Sequence, residues 1–327
     1  MRVLITGAAG FIGSVFIKYV SLSQPEWEIL ALDKLGYASD LRNIEKEVEN
    51  KRISFVRADI SSSDEMRALF DDFSPEIVIN FAAESHVDNS IESPLCFIKS
   101  NIDGVAVLLE ESRRKGVLRF HQVSTDEVYG DMEVSENKSF TEADVLKPSS
   151  VYSASKASAD LLVLSYKRTY GLPISISRSS NNYGAYQHPE KLIPKTIVYA
   201  LEGKKIPVYG SGENVRSWIS AELNCRAIEK IVKSRRAEGE VFNIAAGYEI
   251  SNTALIKKIL SLMGKSESLI SFVPDRAGHD RKYSVSIEKI SSLLDFPLSE
   301  NFDDELEKTI CWYKSNRWWW ENKMGNI

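Results

Sequence analysis

Tyr152 and Lys156, in the run Ser150-Val151-Tyr152-Ser153-Ala154-Ser155-Lys156, stand four residues apart, which puts them on one face of a helix. A tyrosine phenol ionises near pH ~10, so it takes a hydroxyl proton near neutrality only if a neighbouring ammonium stabilises the phenolate. Lys156 can supply that ammonium and has the reach to hold a nicotinamide ribose. The same spacing is common in exposed helices, so its weight comes from its company. Residues 123–130 place a hydroxyl, Thr125, and two adjacent acids, Asp126 and Glu127, just after an apolar strand-like run. Thr125 can hydrogen-bond Tyr152. Two neighbouring carboxyls in a dry pocket do not both ionise easily, so one becomes an acid and the other a base. A plain ketone–alcohol dehydrogenase needs neither.

Gly7-Ala8-Ala9-Gly10-Phe11-Ile12-Gly13 links an expected strand to an expected helix. Gly7 permits the tight turn, Gly10 lets backbone approach a pyrophosphate, and Gly13 permits close packing, while the helix N-terminus offers N–H donors and positive dipole. Asp33 closes the second strand twenty residues after Gly13, where a carboxylate accepts from ribose hydroxyls and repels a 2′-phosphate. This favours NAD over NADP. Asp59 and Ile60, after the third strand, are expected near the adenine, although an aspartate there also serves as an ordinary cap.

Short β-rich runs at 2–6, 28–33, 53–57, 77–82, 119–124 and 173–178 must position these groups. Most read as continuous apolar segments, the mark of strands buried on both faces. Helical stretches at 11–22, 40–49, 62–72, 94–115 and 151–170 alternate with them. The expected fold is α/β, a doubly wound parallel Rossmann-type sheet with a smaller, interleaved C-terminal lobe. Residues 1–182 form the dinucleotide-binding domain and 183–327 mainly the substrate lobe, with about 215–248 returning to the first domain. The Trp-rich end, Trp312 and Trp318-Trp319-Trp320, reads as a helix packing aromatic mass onto the fold or a neighbouring subunit.

A net charge of −5 and a pI near 5.6, without a basic block, argue against nucleic-acid partners. No stretch approaches a membrane span, and the N-terminus does not resemble a signal peptide, so a cytoplasmic protein is expected. Cys96, Cys225 and Cys311 are odd in number and far apart, and the four histidines are scattered. Neither disulfides nor a metal site is expected.

At 82–88, 124–131, 180–184, 189–194 and 275–280 the chain resembles the extended short-chain dehydrogenase/reductase family, and within it the branch of 4,6-dehydratases that act on dTDP-glucose. The adjacent Asp-Glu pair after the threonine separates that branch from the related 4-epimerases and UDP-glucuronate decarboxylases. The resemblance runs from Arg2 to about Trp320. It implies that Tyr152 takes the sugar C4 hydroxyl proton as hydride moves to NAD. Glu127 then removes the C5 proton, Asp126 protonates the departing C6 hydroxyl, and the hydride returns to C6. It further implies cofactor contacts from Phe11, Ile12, Asp33, Lys34, Asp59, Ile60, Phe81, Ala82, Ala83, Ser85, Ser100, Lys156 and Asn182. Nucleotide-sugar contacts are implied for Ser85, Thr125, Asn181, Lys191, Leu192, Pro207, Tyr209, Arg216, Asn252 and His279, with the planar fork of Arg216 suited to a diphosphate. The family usually dimerises through the helices matching 94–115 and 151–170, which implies a homodimer. After Arg216, however, Ser217-Trp218 stands where the family carries Asp-Trp, and residues 221–224 lack its Val-x-Asp-His. That puts the nucleotide, dTDP or UDP, in question. A 4-epimerase or decarboxylase on the same scaffold, or an idle NAD-binding scaffold protein, are the competing readings.

Overall fold

Seven of the chain's β-branched runs pair, all in parallel, into one sheet with the order β10-β6-β5-β4-β1-β2-β3. The computed structural model describes residues 1–86, 90, 92–275 and 278–326. Val87, Asp88, Asn89, Arg276 and Ala277, which belong to the family-like motifs and departures, lie outside the described residues. The strands are β1 (Arg2–Thr6), β2 (Glu28–Asp33), β3 (Ser54–Arg57), β4 (Ile77–Asn80), β5 (Arg119–Thr125), β6 (Ile174–Ser179) and β10 (Val241–Ile244).

Strand alternation distributes the core over both faces. Val3 and Ile5 of β1 join Ile29, Ala31, Ile77 and Ile79 beneath the helices Phe11–Ser23 and Ala221–Lys233. Leu4 faces the opposite way, with Val78, Phe120, Ile174 and Ile176, beneath the helices Ser63–Phe73, Gly104–Lys115 and Val151–Tyr170. Each fully buried Ile or Leu side chain contributes roughly 1.5–3 kcal/mol, so the sheet is an unyielding platform. The chain runs outward from β1 to β2 and β3, then crosses back to β4 on the other side of β1. Ligands of such sheets bind at the strand ends beside this reversal.

The second lobe is built on two small sheets. β7 (Asn181–Tyr183), β9 (Val215–Ser220) and β11 (Tyr248–Ser251) form one, and β8 (Ile206–Tyr209) pairs with β12 (Ile270–Val273) in the other. Residues 215–248 divide between the large sheet and the small one. Helix Ala221–Lys233 and β10 pack on or within the large sheet, whereas β9 pairs with β7 and β11. The reason is visible in its side chains: Trp218 enters the second lobe's core while Ile219 enters the first, so β9 is wedged between two cores. Ile290, Leu294 and Leu298 also come back to pack under the large sheet. At the C-terminus Trp319 and Trp320 are buried, and the Trp319 indole donates to Asn43 Oδ1 at 2.7 Å, tying the tail to the first domain.

Candidate active site

The glycine turn behaves as a cradle. Gly7 has φ +65°, and a Cβ there would lie 2.6 Å from the backbone of Phe81 and Ala82; at Gly13 a Cβ would come within 2.2 Å of the Gly7 carbonyl. Neither position admits another residue. The helix Phe11–Ser23 starts at Gly10 with no side-chain cap and no acid in its first turn, so its end is left to an anion. The Asp33 carboxylate accepts from Ala9 N at 3.0 Å and Leu35 N at 2.8 Å, which fixes it at the end of β2 with lone pairs left over. These residues line one cleft with Phe11, Ile12, Lys34, Ile60, Phe81, Ala82, Ala83, Ser85, Ser100, Tyr152, Lys156 and Lys191. The glycine cradle, the uncapped helix end and the fixed ribose-type acid fit a dinucleotide. Asp59 does not line the cleft: its carboxylate accepts from Ser61 N and Oγ at 2.9 and 2.8 Å, a local turn just ahead of the helix that Ser62 caps. Asn182 lies off the cleft as well, with its amide bonded to Ser180 O at 2.9 Å and to Asn224 at 2.9 Å.

Tyr152 is delivered by a well-started helix. Ser150 and Ser153 cap it reciprocally, and Gly171 ends it in the left-handed conformation. Lys156, one turn on, is buried and donates to Val123 O at 2.7 Å. Burial lowers its pKa to about 8, against the opposing pull of Asp160 one further turn along. Asp160 in turn pairs with Arg178 at 2.9 Å, and Arg178 donates to the Tyr129 hydroxyl at 2.8 Å. That buried network anchors the single 3₁₀ turn Asp126–Tyr129 carrying both acids, with Thr125 as its cap. Gly130 closes the turn at φ +89°, where a Cβ would strike the Lys147 carbonyl at 2.1 Å.

The two acids are sorted by burial. Asp126 is 2% exposed, its Oδ2 has no hydrogen-bond partner, and desolvation followed by the Glu127 charge raises it to about 8. It is therefore protonated at neutrality and able to donate. The Tyr152 phenol is pushed up, first by burial, then by Glu127 and Asp126, and the hydrogen bond with Thr125 opposes this.

Of the second-lobe candidates, Lys191 lines that cleft, whereas Leu192, Pro207, Tyr209, Arg216, Asn252 and His279 do not. Arg216 is buried and donates to Val215 O at 2.8 Å and Asp280 O at 2.7 Å, with its guanidinium 4.6 Å from the Tyr283 ring. Backbone carbonyls thus hold it. Its charge also reaches Asp126, partly offsetting the upward shift there. Asn181 and Asn252 each keep a buried Oδ1 with no partner. Tyr209, on β8 beside Pro207, meets His279 edge-on at 6.4 Å, and His279 Nδ1 lies 2.7 Å from Asp275. Leu192 opens the helix Leu192–Glu202.

Sequence reasoning missed a second cluster on the cleft. Glu190 gathers Tyr37, His86 at 3.4 Å, His188 at 3.5 Å and Lys191 at 3.7 Å, and these contacts hold its carboxyl down to about 2 despite burial. Two of the four histidines are thus not scattered. Glu190 and His86 belong to the family-like runs, but nothing local shows that they meet. Among the described residues no group of three or more His, Cys, Asp or Glu side chains is arranged for a metal.

A doubly wound sheet with a dinucleotide cradle, a Tyr-x-x-x-Lys helix and an acid pair at the end of β5 defines an extended short-chain dehydrogenase/reductase. Residues 4–309 match the family model described as GDP-mannose 4,6 dehydratase, and the chain belongs to that family. A dTDP-glucose 4,6-dehydratase from Escherichia coli is 41% identical, with 99% of this chain and 96% of that protein covered. Another, from Actinoplanes sp., is 41% identical over 98% of this chain and all of its own length. The structure of a dTDP-glucose 4,6-dehydratase from Streptomyces venezuelae, with NAD and TYD bound, superposes with a TM-score of 0.93 at 40% identity, covering 99% of this chain and 100% of that one. A UDP-glucose 4-epimerase from Thermotoga maritima superposes at 0.89 with 27% identity, over 96% and 99%.

Proposed function

We propose that this protein is an NAD-dependent hydro-lyase that converts dTDP-glucose to the 4-keto-6-deoxy sugar. The observation that carries the reading is the Asp126/Glu127 pair on one anchored turn beside Tyr152, with Asp126 buried and its Oδ2 without a hydrogen-bond partner, which favours its protonated form. When bound in this cleft, NAD would supply the hydride acceptor for C4 and the hydride source for C6. Gly7, Gly10, Gly13 and the first turn of the following helix would hold its pyrophosphate, Asp33 its adenosine ribose, and Lys156 its nicotinamide ribose. Tyr152 takes the C4 hydroxyl proton, with Thr125 orienting the phenol. Glu127 removes the C5 proton, which the 4-ketone has acidified, and a proton must return to C5, for which Glu127 is the placed donor, when hydride comes back to C6. Asp126 then hands its proton to the departing C6 hydroxyl, so that water leaves. Arg216, with Asn181 and Asn252 offering unpaired carbonyls, is placed to meet the nucleotide-sugar from the second lobe.

A 4-epimerase would use Tyr152 and Lys156 but would have no work for a protonated Asp126. Incubation with dTDP-glucose and mass analysis of the product separates the readings: loss of water supports dehydration, a changed sugar of equal mass supports epimerisation, and no change supports an idle scaffold. UDP-glucose assayed in parallel settles the nucleotide. With substrate deuterated at C4, the label should be retained at C6 within the same molecule. Its loss to solvent would overturn the internal return of hydride.

We further infer a homodimer. Helices Pro94–Ile98 and Val151–Tyr170 pack together and expose Leu95, Ile98, Val151 and Leu161. Sedimentation of the protein, and of a Leu161→Glu variant expected to be monomeric, tests this. No described helix is long and apolar enough to cross a membrane, which is compatible with the cytoplasmic location we propose.

A further inference from the structure

Lys34 follows directly on Asp33, the acid assigned to the adenosine ribose, and both line the cleft. A lysine in that place is a ready partner for a ribose 2′-phosphate, which would undercut the discrimination attributed to Asp33. Its ammonium is engaged elsewhere. Lys34 Nζ lies 2.6 Å from Glu84 Oε1, and Glu84, with Asp59 nearby, supports its charge.

Glu84 is held in place by its backbone. Asn101, 1% exposed, accepts from Glu84 N at 2.8 Å and donates to Glu84 O at 3.0 Å, while also donating to Ser155 Oγ at 2.9 Å. Asn101 sits in a π turn, Lys99–Asp103, that interrupts the helical stretch expected over 94–115. Such turns re-aim side chains that a regular helix would point elsewhere. Because β4 and β2 flank β1 in the sheet, the Lys34–Glu84 pair links the loops on either side of the glycine turn. The other lysines on the cleft are also committed, Lys156 to Val123 O and Lys191 to Ser85 O.

We propose that Glu84 is a specificity-determining residue that acts through Lys34: by holding the Lys34 ammonium it withholds a counter-charge from a 2′-phosphate, and so reinforces the preference of Asp33 for NAD over NADP. This rests on the assignment of the cleft to NAD. Two layers then exclude NADP. Asp33 repels the phosphate, and Glu84 occupies the cation that would compensate.

The test is equilibrium binding of NAD and NADP, by calorimetry, to the full-length protein stripped of nucleotide. Glu84→Gln is nearly isosteric and keeps the backbone bonds to Asn101. It should improve NADP affinity relative to NAD by about two- to fivefold, the scale of one partly exposed charge pair. The double variant Glu84→Gln/Lys34→Met should lose that gain. An unchanged affinity ratio in Glu84→Gln overturns the proposal, and so does a gain that survives in the double variant, since Glu84 would then act without Lys34. A wild-type protein that fails to bind NAD removes the assignment of the cleft instead, and is read in the same experiment.

Discussion

The two sides of the site are built on different principles. On the sheet side, Tyr152, Lys156, Asp126 and Glu127 ride on elements whose ends are capped and whose roots are tied by Asp160, Arg178 and Tyr129. On the second-lobe side, Arg216, Tyr209, Asn252 and His279 come from two short strands, the start of a helix and a loop, and Arg216 is held by backbone carbonyls and the Tyr283 ring. A reacting group must be placed to a fraction of an ångström and have its proton affinity set, which requires a rigid, buried frame. A group that grips a flexible nucleotide needs less. Substitutions on the sheet side should therefore act on kcat, and those on the lobe side on KM.

The sharpest way to break that contrast is Tyr152→Phe. It should reduce turnover by about 10²–10⁴-fold, the range for loss of a positioned acid–base group, while NAD stays bound and the melting temperature holds. Near-normal kcat would remove Tyr152 from the chemistry. Glu127→Gln should be nearly as damaging overall yet still permit oxidation at C4. Absorbance of reduced nicotinamide should then accumulate in rapid mixing, and a variant that eliminates water at the wild-type rate would contradict the division of labour between the acids.

Asp126 supplies a pH signature. It donates only when protonated and is held near pH 8, so turnover should fall as the pH rises through about that value. Asp126→Asn should lower kcat and abolish that limb; an alkaline limb that persists in the variant would assign it to another group, such as Lys156. On the lobe side, Arg216→Lys keeps the charge but loses the planar fork. We expect KM for the sugar nucleotide to rise about tenfold with kcat changed far less. An equal fall in kcat would mean that Arg216 serves the acid pair rather than the nucleotide.

An effect on stability rather than on catalysis lies in the sheet itself, away from either site. His121 is buried between Ser175 Oγ at 2.9 Å and Ser177 Oγ at 3.1 Å, and burial lowers its pKa from 6.5 to about 3. Between those values the unfolded chain binds a proton that the native one refuses, so this residue costs stability as pH falls from 6.5 toward 3, by up to ~1.4 kcal/mol per unit. His121→Asn should flatten that part of the curve of urea midpoint against pH. An unchanged slope would show that other groups govern it.

Much of the sheet side was legible in the residues themselves. The apolar runs, the glycine turn with Asp33, and Tyr152 four residues before Lys156 are short-range patterns, and backbone geometry turns short-range patterns into faces and turns without further information. Tertiary structure alone decided the rest. The meeting of Tyr37, His86, His188 and Glu190, the π turn that sets Asn101 against Glu84, and the splitting of β9 between two cores bring together segments far apart in the chain. The resemblance already made Asp126 the acid of the pair, but the burial that protonates it, like the upward shift of Tyr152, was not written in the local sequence. Proton affinity depends on how deeply a group is buried and on which charges approach it through space, and neither is a property of its neighbours in sequence.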